Sequence, residues 1–316
     1  MAQARTNRTK ARRPGSAVVS PVAQLREQVT RLDAAMIVCH AAPRKEPVHS
    51  LRKATRYVEA QLALLELIPG LPPHSGQAKK VLKRLKTVRR AAGNVRDFDV
   101  QRDLIKSDRP AENARRENTA HDHLRRDVQA LSKHLKQQRD RDAAKLTAVL
   151  RAEELKLAKA LQKLEDTLSP AGTLKLPAAR LAVQIASWFH KQTPHLPAHA
   201  GGNDNSGRRH HIEQLDEDAL HRLRKASKLG RYMAESLPAD FAGAKRLAGL
   251  FERLQESGGQ WHDWLLLREI AAQHQGKRAE LAERYAEYRD RALAGYRSQL
   301  THLLPTRRAP VTQPSQ

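Results

Sequence analysis

The stretch from His49 to Arg56, His-Ser-Leu-Arg-Lys-Ala-Thr-Arg, decides the fold of this chain. At about 100° per residue, four of its side chains fall on one stripe of an α-helix, namely His49, Arg52, Lys53 and Arg56. Leu51 and Ala54 fall on the opposite side, in line with Val58. The stretch therefore predicts an amphipathic helix with one face for a hydrophobic core and one face for an anion.

The same pattern returns in the second half of the chain. Residues 220–228 read Leu-His-Arg-Leu-Arg-Lys-Ala-Ser-Lys and match residues 48–56 at an offset of 172 (221 − 49). Residues 93–98, Gly-Asn-Val-Arg-Asp-Phe, likewise match residues 259–264, Gly-Gln-Trp-His-Asp-Trp, at an offset of 166 (259 − 93). The two matches keep their order and nearly their spacing, which predicts an internal duplication with one bundle-sized unit in each copy.

The composition is strongly basic and rich in helix-forming residues. Lys and Arg number 58 against 34 Asp and Glu, a formal net charge of +24. Such an excess favours polyanionic partners: nucleic acid, polyphosphate or an anionic membrane surface. The single cysteine, Cys39, excludes an intramolecular disulfide and fits a reducing compartment. Because no apolar run approaches about 18 residues and the N-terminus has no apolar secretory segment, we expect a cytoplasmic protein without membrane insertion.

Pro and Gly residues divide the chain into four parts. We expect a disordered basic arm at 1–20, a first helical bundle at 21–170, a second at 171–304 and a disordered tail at 305–316. Within the first bundle we expect a helix from about residue 77 to 92, which Gly93-Asn94 would end. One side of this helix carries a second basic row, Lys79, Lys83, Lys86 and Arg90. Residues 111–168 predict a helical hairpin with a turn or kink near 137–143.

These motifs resemble a known family. Paired His-x-x-Arg helices, each followed by a Lys- or Arg-bearing helix and a Gly-x-x-x-Asp element, resemble the CHAD domain, the conserved histidine α-helical domain. The resemblance extends over roughly residues 22–304 and implies an all-α fold of two four-helix bundles related by pseudo-twofold symmetry. It also implies that the basic helices face a central groove or pore that binds inorganic polyphosphate, which phosphate or sulfate ions could occupy. Family members often sit on polyphosphate granules.

The resemblance also implies a set of binding residues. In the first copy the basic motif falls on His49, Arg52, Lys53 and Arg56, and in the second copy on His221, Arg224, Lys225, Lys228 and Arg231. The bases that precede the glycine fall on Lys86 and Arg90. Two acids depart from the pattern: Glu59 stands where the second copy has Arg231, and Glu252 aligns with Lys86. We therefore expect the second basic helix of the first copy to contribute more than its counterpart.

The chemistry of the stripes favours a phosphate chain. Polyphosphate presents negative charges but no base edge or aromatic face, so binding it requires rows of Lys and Arg. Proteins that bind single-stranded nucleic acid add aromatic platforms, and here Tyr57 and Tyr232 are the only aromatic residues close to the stripes. We predict a non-enzymatic polyphosphate-binding protein without a cofactor, and nonspecific nucleic-acid binding, as in a nucleoid protein, is the alternative.

An enzyme acting on polyphosphate is the third class, and we expect no such activity. Phosphoryl transfer normally uses acidic residues that hold Mg²⁺ beside the bases, and no acidic cluster lies on the basic stripes. We expect Asp97 and Asp263 to cap a helix or to pair with bases. His121/His123 and His210/His211 are not joined by a cysteine or carboxylate cluster, so a metal site is not predicted. His49 and His221 should titrate low beside the bases and gain protons with a bound phosphate, so binding should tighten as pH falls.

Overall fold

The described part of the chain folds almost entirely into helices. The computed structural model describes residues 17–108, 119–193, 205–275 and 280–303. Within these ranges there are nine α-helices: α1 (Pro21–Ala41), α2 (Lys45–Leu65), α3 (Ser75–Ser107), α4 (Thr119–Leu168), α5 (Ala178–Gln192), α6 (Asn205–Glu213), α7 (Glu217–Glu235), α8 (Ala242–Gln275) and α9 (Glu280–Leu303). A 3-10 turn at Ser169–Ala171 follows α4, and two short strands, β1 (Val18–Val19) and β2 (Leu176–Pro177), pair antiparallel. The predicted all-α fold is confirmed.

Each half of the chain forms a helical bundle. Helices α1 to α4 pack in a ring, each on the next and α4 back on α1. In the second half α7 packs between α5 and α8, α9 packs on α8, and the short α6 lies against α9. The halves meet where α2 contacts α7, α3 contacts α8 and α4 contacts α9. Matching helices therefore meet across the interface, while the duplication itself stays a prediction from the sequence.

The apolar side of α2 enters the core as its periodicity predicts. Leu51, Val58 and Leu65 are completely buried, and the basic residues of the opposite stripe stay outside the core. The helix begins at Lys45, so Pro47 lies in its first turn, where a missing backbone N–H costs no helical hydrogen bond. Burying one such leucine or valine contributes about 1.5–3 kcal/mol, so the core fixes which way the basic stripe faces.

The predicted end of a helix at Gly93-Asn94 is wrong. Helix α3 continues through both residues to Ser107. Gly93 is buried, and a Cβ atom built on it would lie 3.0 Å from Nη1 of Arg52. In α8, a Cβ atom on Gly258 would lie 2.9 Å from Cζ of Tyr296 and 3.2 Å from Cγ of Arg224. Gly93 thus makes room for Arg52 of the basic stripe, and Gly258 makes room for the ring of Tyr296 and for the stem of Arg224, and neither glycine ends a helix.

The predicted helical hairpin is also wrong. Helix α4 runs without a turn from Thr119 to Leu168, through the polar stretch at 137–143. Arg139 in this stretch contacts Asp99 on α3, Nε to Oδ1 at 3.2 Å, and its Nη2 donates to the carbonyl oxygen of Pro43 at 2.7 Å. The polar residues therefore include one that joins helices, and nothing in their sequence breaks the helix, since neither Gly nor Pro occurs between 119 and 168.

The ends of the chain are described in part. Of the predicted basic arm, residues 17–20 belong to the fold, because β1 pairs with β2 and Val19 is buried. Residues 1–16, the segment 194–204 and the predicted tail lie outside the described residues.

Cys39 is buried and unpaired, and burial raises its pKa to about 11. No helix in the described ranges is long and apolar enough to span a membrane.

Candidate functional site

The contact between α2 and α7 joins the two basic stripes. Burial, followed by the nearby charges of Arg52, Arg56 and Arg224, lowers the pKa of Lys228 to about 7 against the opposing effect of Asp263. Two of these arginines come from α2 and one from α7 itself. We call Arg52, Arg56, Arg224 and Lys228 the central cluster. Four bases held this close and partly away from water repel one another, so the fold maintains a site of strong positive potential.

Two carboxylates from the partner helices accompany the central cluster. Asp97 on α3 lies 3.5 Å from Arg52, Oδ1 to Nη1. Asp263 on α8 has its pKa raised to about 6 by burial and by the charge of Asp97, while Arg224, Arg96 and Lys228 act in the opposite direction. Asp97 lies inside α3 and caps no helix. With Arg96 included, five bases face Asp97, Asp263 and Glu59, which pairs with Arg56, so the site keeps an excess of positive charge.

Three hydrogen-bonding atoms beside the central cluster are left without partners. They are Nη1 of Arg96, Nε of Arg224 and Nδ1 of His262, which are buried and have no hydrogen-bond partner in the part of the chain that the structure describes. Leaving a buried donor unpaired costs about 1–3 kcal/mol. Nδ1 of His262 is a donor in the tautomer that carries the proton on this nitrogen. Unpartnered polar atoms from α3, α7 and α8 therefore lie next to the charges of the central cluster.

Arg96 and His262 are functional candidates that the sequence reasoning missed. Each directly precedes the aspartate of a Gly-x-x-x-Asp element, and the two align with each other at the offset of 166 (262 − 96). The alignment of the two copies could have identified them, because each copy has a side chain that can donate a hydrogen bond at this position. Burial, followed by the charges of Arg224, His221, Lys228 and Lys225, lowers the pKa of His262 to about 3. His262 is therefore neutral at neutral pH.

The two predicted histidines lie at the edge of the site. The ring of His221 lies 4.8 Å from that of Trp261 and 5.0 Å from that of His262, and its Nε2 is 3.5 Å from Oε1 of Glu217. Its pKa is lowered by burial and then by Arg224, against Glu217. The pKa of the more exposed His49 is lowered by burial and then by Arg96, against Glu46. The pKa of both histidines is lowered, as expected from the sequence, but burial contributes more to this than the nearby bases.

The C-terminal ends of α2 and α7, together with the part of α8 that contacts α7, carry a set of paired glutamates. Oε2 of Glu59 lies 2.8 Å from Nη1 of both Arg56 and Arg89. We call Glu59, Glu235 and Glu252 the glutamate end. Arg231 contacts the other two, Nε to Oε1 of Glu235 at 2.6 Å and Nη2 to Oε1 of Glu252 at 2.9 Å.

A tyrosine pair joins the halves at the glutamate end. Tyr57 donates its hydroxyl hydrogen to Oε2 of Glu235 at 2.6 Å, and its ring meets that of Tyr232 edge-on at 4.8 Å. Arg56 and Arg231, both predicted as ligands, thus already have carboxylate partners at this end.

The remaining predicted bases lie outside the central cluster. Lys79, Lys83, Lys86 and Arg90 are exposed, and none has an ion-pair partner among the described residues. On α3, Lys86 is about 20° and Arg90 about 60° around the helix axis from Gly93, which faces Arg52. The row therefore continues outward from the site along α3. Lys53 and Lys225 are exposed on α2 and α7, and the Nζ of Lys53 lies 5.8 Å from the ring centre of Tyr57.

A metal centre is not supported by the residues present. Within the described ranges, no three His, Cys, Asp or Glu side chains are grouped so that they could hold a metal ion. The two carboxylates of the site lie among arginines, which disfavour a second type of cation. The arrangement is suited to a ligand with several negative charges.

Comparisons with known proteins agree with this fold. The family model described as the CHAD domain matches residues 22–272. Among solved structures, the crystal structure of the CHAD domain from the plant Ricinus communis is 18% identical, with a TM-score of 0.58, and the match covers 92% of this chain and 94% of that one. PptA from Streptomyces chartreusis is 14% identical, with a TM-score of 0.52, covering 89% of this chain and 98% of that one. A search of curated proteins finds no match.

Proposed function

The chain belongs to the CHAD domain family, and we propose that it binds inorganic polyphosphate where α2 meets α7, without enzymatic activity. One observation carries this proposal: the central cluster and the unpartnered donors of Arg96, Arg224 and His262 converge from both halves of the chain. Guanidinium and ammonium groups are the preferred protein donors to phosphate oxygens. A polyphosphate chain supplies acceptors and negative charge in one ligand.

The aromatic side chains favour polyphosphate over single-stranded nucleic acid. Binding a nucleobase requires an open aromatic face. Tyr57 and Tyr232 pack against each other, Tyr57 is tied to Glu235, and Trp261 is 2% exposed. The aromatic rings nearest the bases are therefore engaged in the fold, and nucleobases would gain little from this site.

Duplex nucleic acid is the second candidate ligand, and the burial of the arginine side chains favours polyphosphate over it. The Arg52 side chain is only 20% exposed, and Arg56 and Arg231 are 24% and 26% exposed. A single phosphate chain is thin enough to enter between helices, whereas a duplex carries its phosphates on a wide cylinder. Outer bases such as Lys79 and Lys83 would attract either polymer, so we propose nucleic acid as the weaker ligand.

The acids of the site support binding without turnover. Phosphoryl transfer normally uses carboxylates that hold Mg²⁺ against the phosphates, but Asp97 and Asp263 lie among Arg52, Arg96 and Arg224. We expect no phosphate release when the protein is incubated with polyphosphate and Mg²⁺, and steady turnover would overturn this part of the proposal.

Paired substitutions test the site directly. Arg52→Ala with Arg224→Ala removes one buried guanidinium from each half, and each charged hydrogen bond lost is worth about 1.5–3 kcal/mol. We expect calorimetric titration with long-chain polyphosphate to show at least a hundredfold weaker binding. The control, Arg5→Ala with Arg8→Ala in the N-terminal arm, should change it less than fivefold. Equal losses would mean that the arm carries the affinity, and ready displacement of polyphosphate by equal phosphate equivalents of duplex DNA would favour the second candidate.

The location of the protein follows from the same proposal. A cytoplasmic protein with this binding site would bind to polyphosphate granules. We expect a fluorescent fusion of the full chain to form foci that coincide with polyphosphate staining, and the paired Arg52 and Arg224 variant to be diffuse. Foci that persist in cells unable to make polyphosphate would contradict this.

A further inference from the structure

We propose that polyphosphate displaces Glu59 from Arg56 and Arg89, so that Arg89 is a further ligand of the phosphate chain and Glu59 limits its affinity. This inference rests on the proposed function and adds two residues to the site. Glu59 is then an internal competitor, a carboxylate of the protein that occupies arginines which a phosphate would otherwise bind. The native protein therefore binds polyphosphate more weakly than its bases alone would allow, which favours release of the ligand.

Glu59 joins two arginines that lie on different helices. Its Oε2 atom is 2.8 Å from Nη1 of Arg56 on α2 and also 2.8 Å from Nη1 of Arg89 on α3. Burial lowers the pKa of Arg89, and the charge of Arg56 acts in the same direction against that of Glu59. Two positive charges thus share one negative charge. A phosphate chain can bring several charges to the two guanidinium groups, which a single carboxylate cannot do.

The Glu59 ion pairs connect the central cluster to the basic row of α3. Arg56 belongs to the cluster, and Arg89 lies in the part of α3 that carries the row. Arg52, earlier on α2 than Glu59, lies beside Gly93, later on α3 than Arg89. The two helices therefore run antiparallel, and the row lies at the end of the site where Glu59 is. A phosphate chain that contacts both sets of bases reaches Glu59.

These ion pairs are close enough to the surface to be exchanged. The side chains of Glu59, Arg56 and Arg89 are 19%, 24% and 19% exposed, so water reaches each of them. A glutamate side chain can turn toward solvent by changing rotamer when another acceptor takes its place. Charged hydrogen bonds to phosphate then replace those to the carboxylate, and the ligand loses the energy of the original pairs from its affinity.

The second half of the chain has a similar ion pair with the signs reversed. Arg231 on α7 aligns with Glu59 at the offset of 172 (231 − 59). Glu252 on α8 aligns with Lys86 on α3 at the offset of 166 (252 − 86). Nη2 of Arg231 lies 2.9 Å from Oε1 of Glu252, whose side chain is 53% exposed. An acid therefore holds a base of the site in each half, and Glu252 is the more accessible of the two acids.

Neutralising Glu59 tests this inference. In Glu59→Gln both arginines lose their carboxylate, so calorimetric titration with long-chain polyphosphate should show about tenfold tighter binding, the lower limit for one charged hydrogen bond. Arg89→Ala should weaken the binding of the native protein by a similar factor. The control, Glu256→Gln, removes the same charge from an exposed position of α8 that has no ion-pair partner among the described residues. It should tighten binding by less than about twofold, because salt screens an exposed charge.

Removing the arginines separates competition from the general effect of charge. In a protein with Arg56→Ala and Arg89→Ala, Glu59 has no arginine to release, so Glu59→Gln should change affinity by less than about twofold. Equal gains with and without the two arginines, or no gain in the folded Glu59→Gln protein, would overturn the inference and leave the proposed function standing. So would a gain as large in Glu256→Gln. If the native protein does not bind polyphosphate, the proposed function fails instead.

Glu252→Gln gives a second test that does not depend on the folding of Glu59→Gln. Arg231 keeps Glu235 as a partner, Nε to Oε1 at 2.6 Å, so the fold should tolerate the loss of the more exposed glutamate. We expect polyphosphate to bind about threefold tighter, as for a partly exposed pair, and this gain to disappear when Arg231→Ala is also present. Unchanged affinity in Glu252→Gln, or a gain that persists without Arg231, would contradict competition by the carboxylates.

Discussion

Replacing Gly93 by Ala tests whether α3 keeps a glycine there for the approach of Arg52. In the interior of a helix, Ala is about 1 kcal/mol more favourable than Gly. The new Cβ would, however, lie 3.0 Å from Nη1 of Arg52, where ordinary contacts begin at 3.4 Å. The guanidinium is the flexible end of a long side chain, so it can move by a few tenths of an ångström, and its 3.5 Å contact with Asp97 would be lost.

We expect stability and binding to separate in this variant. The free energy of unfolding should change by less than about 1 kcal/mol, roughly 2 °C in melting temperature, because the gain in helix propensity offsets the displaced arginine. Polyphosphate binding should weaken about tenfold, the lower limit of a lost charged hydrogen bond. Urea unfolding and calorimetric titration of the same preparation measure the two effects.

Two other glycines supply the controls. A Cβ on Gly259 meets nothing within 4 Å, so Gly259→Ala should stabilise by up to about 1 kcal/mol and leave binding unchanged. A Cβ on Gly258 would press on the buried ring of Tyr296 at 2.9 Å, so Gly258→Ala should destabilise the protein. If Gly93→Ala and Gly259→Ala behave alike in both assays, the close approach of Arg52 does not explain why α3 has a glycine at this position.

Two further substitutions probe buried charges, one in the central cluster and one at the contact between α3 and α4. Lys228→Met removes a base whose folded pKa of about 7 lies below its ordinary 10.5. The unfolded chain binds more protons there between those values, so Lys228 lowers the stability of the fold as pH falls through that window, and this cost is fully present below it. The variant should therefore melt higher than the native protein at pH 6, bind polyphosphate more weakly, and show less tightening of binding from pH 8 to pH 6. A native titration that is flat over this range would contradict the role of Lys228 and both histidines. Arg139→Ala leaves Asp99, which is 6% exposed, without its partner, so we expect a loss of about 3–5 kcal/mol in urea unfolding. The exposed Arg141→Ala on the same helix should change stability by less than about 0.5 kcal/mol.

The sequence predicted those features that depend on local periodicity. The basic and apolar sides of α2 follow from the spacing of Arg52 and Leu51 alone, and the matching stripe of α7 follows in the same way. The sequence also identified Glu59 and Glu252 as departures from the pattern. Arg56, three residues before Glu59 on the same helix, is a partner that spacing allows. The partner on another helix could not be predicted, since Arg89 reaches Glu59 only when α2 and α3 are packed together.

Gly93 shows why the predicted end of a helix was wrong. In a single sequence Gly93-Asn94 looks like the end of a helix, because glycine is locally unfavourable there. The reason for the glycine lies on another helix, at Arg52, and no local pattern records it. Arg96 and His262 were missed for the same reason. They lie on α3 and α8, and only the contact between these two helices relates their positions.

The interface between the bundles contributes both to the free energy of folding and to the free energy of binding. The central cluster places like charges from both halves side by side, which opposes the association of α2 with α7, and Asp97 and Asp263 offset only part of that repulsion. A polyanion bound there would neutralise the rest, so it must bind the folded arrangement in preference to the unfolded chain and stabilise it by RT ln(1 + [L]/Kd). At a ligand concentration a hundred times Kd this amounts to about 2.7 kcal/mol. Polyphosphate should therefore raise the melting temperature of the native protein, and the increase should shrink in Lys228→Met, whose free protein has less repulsion to relieve.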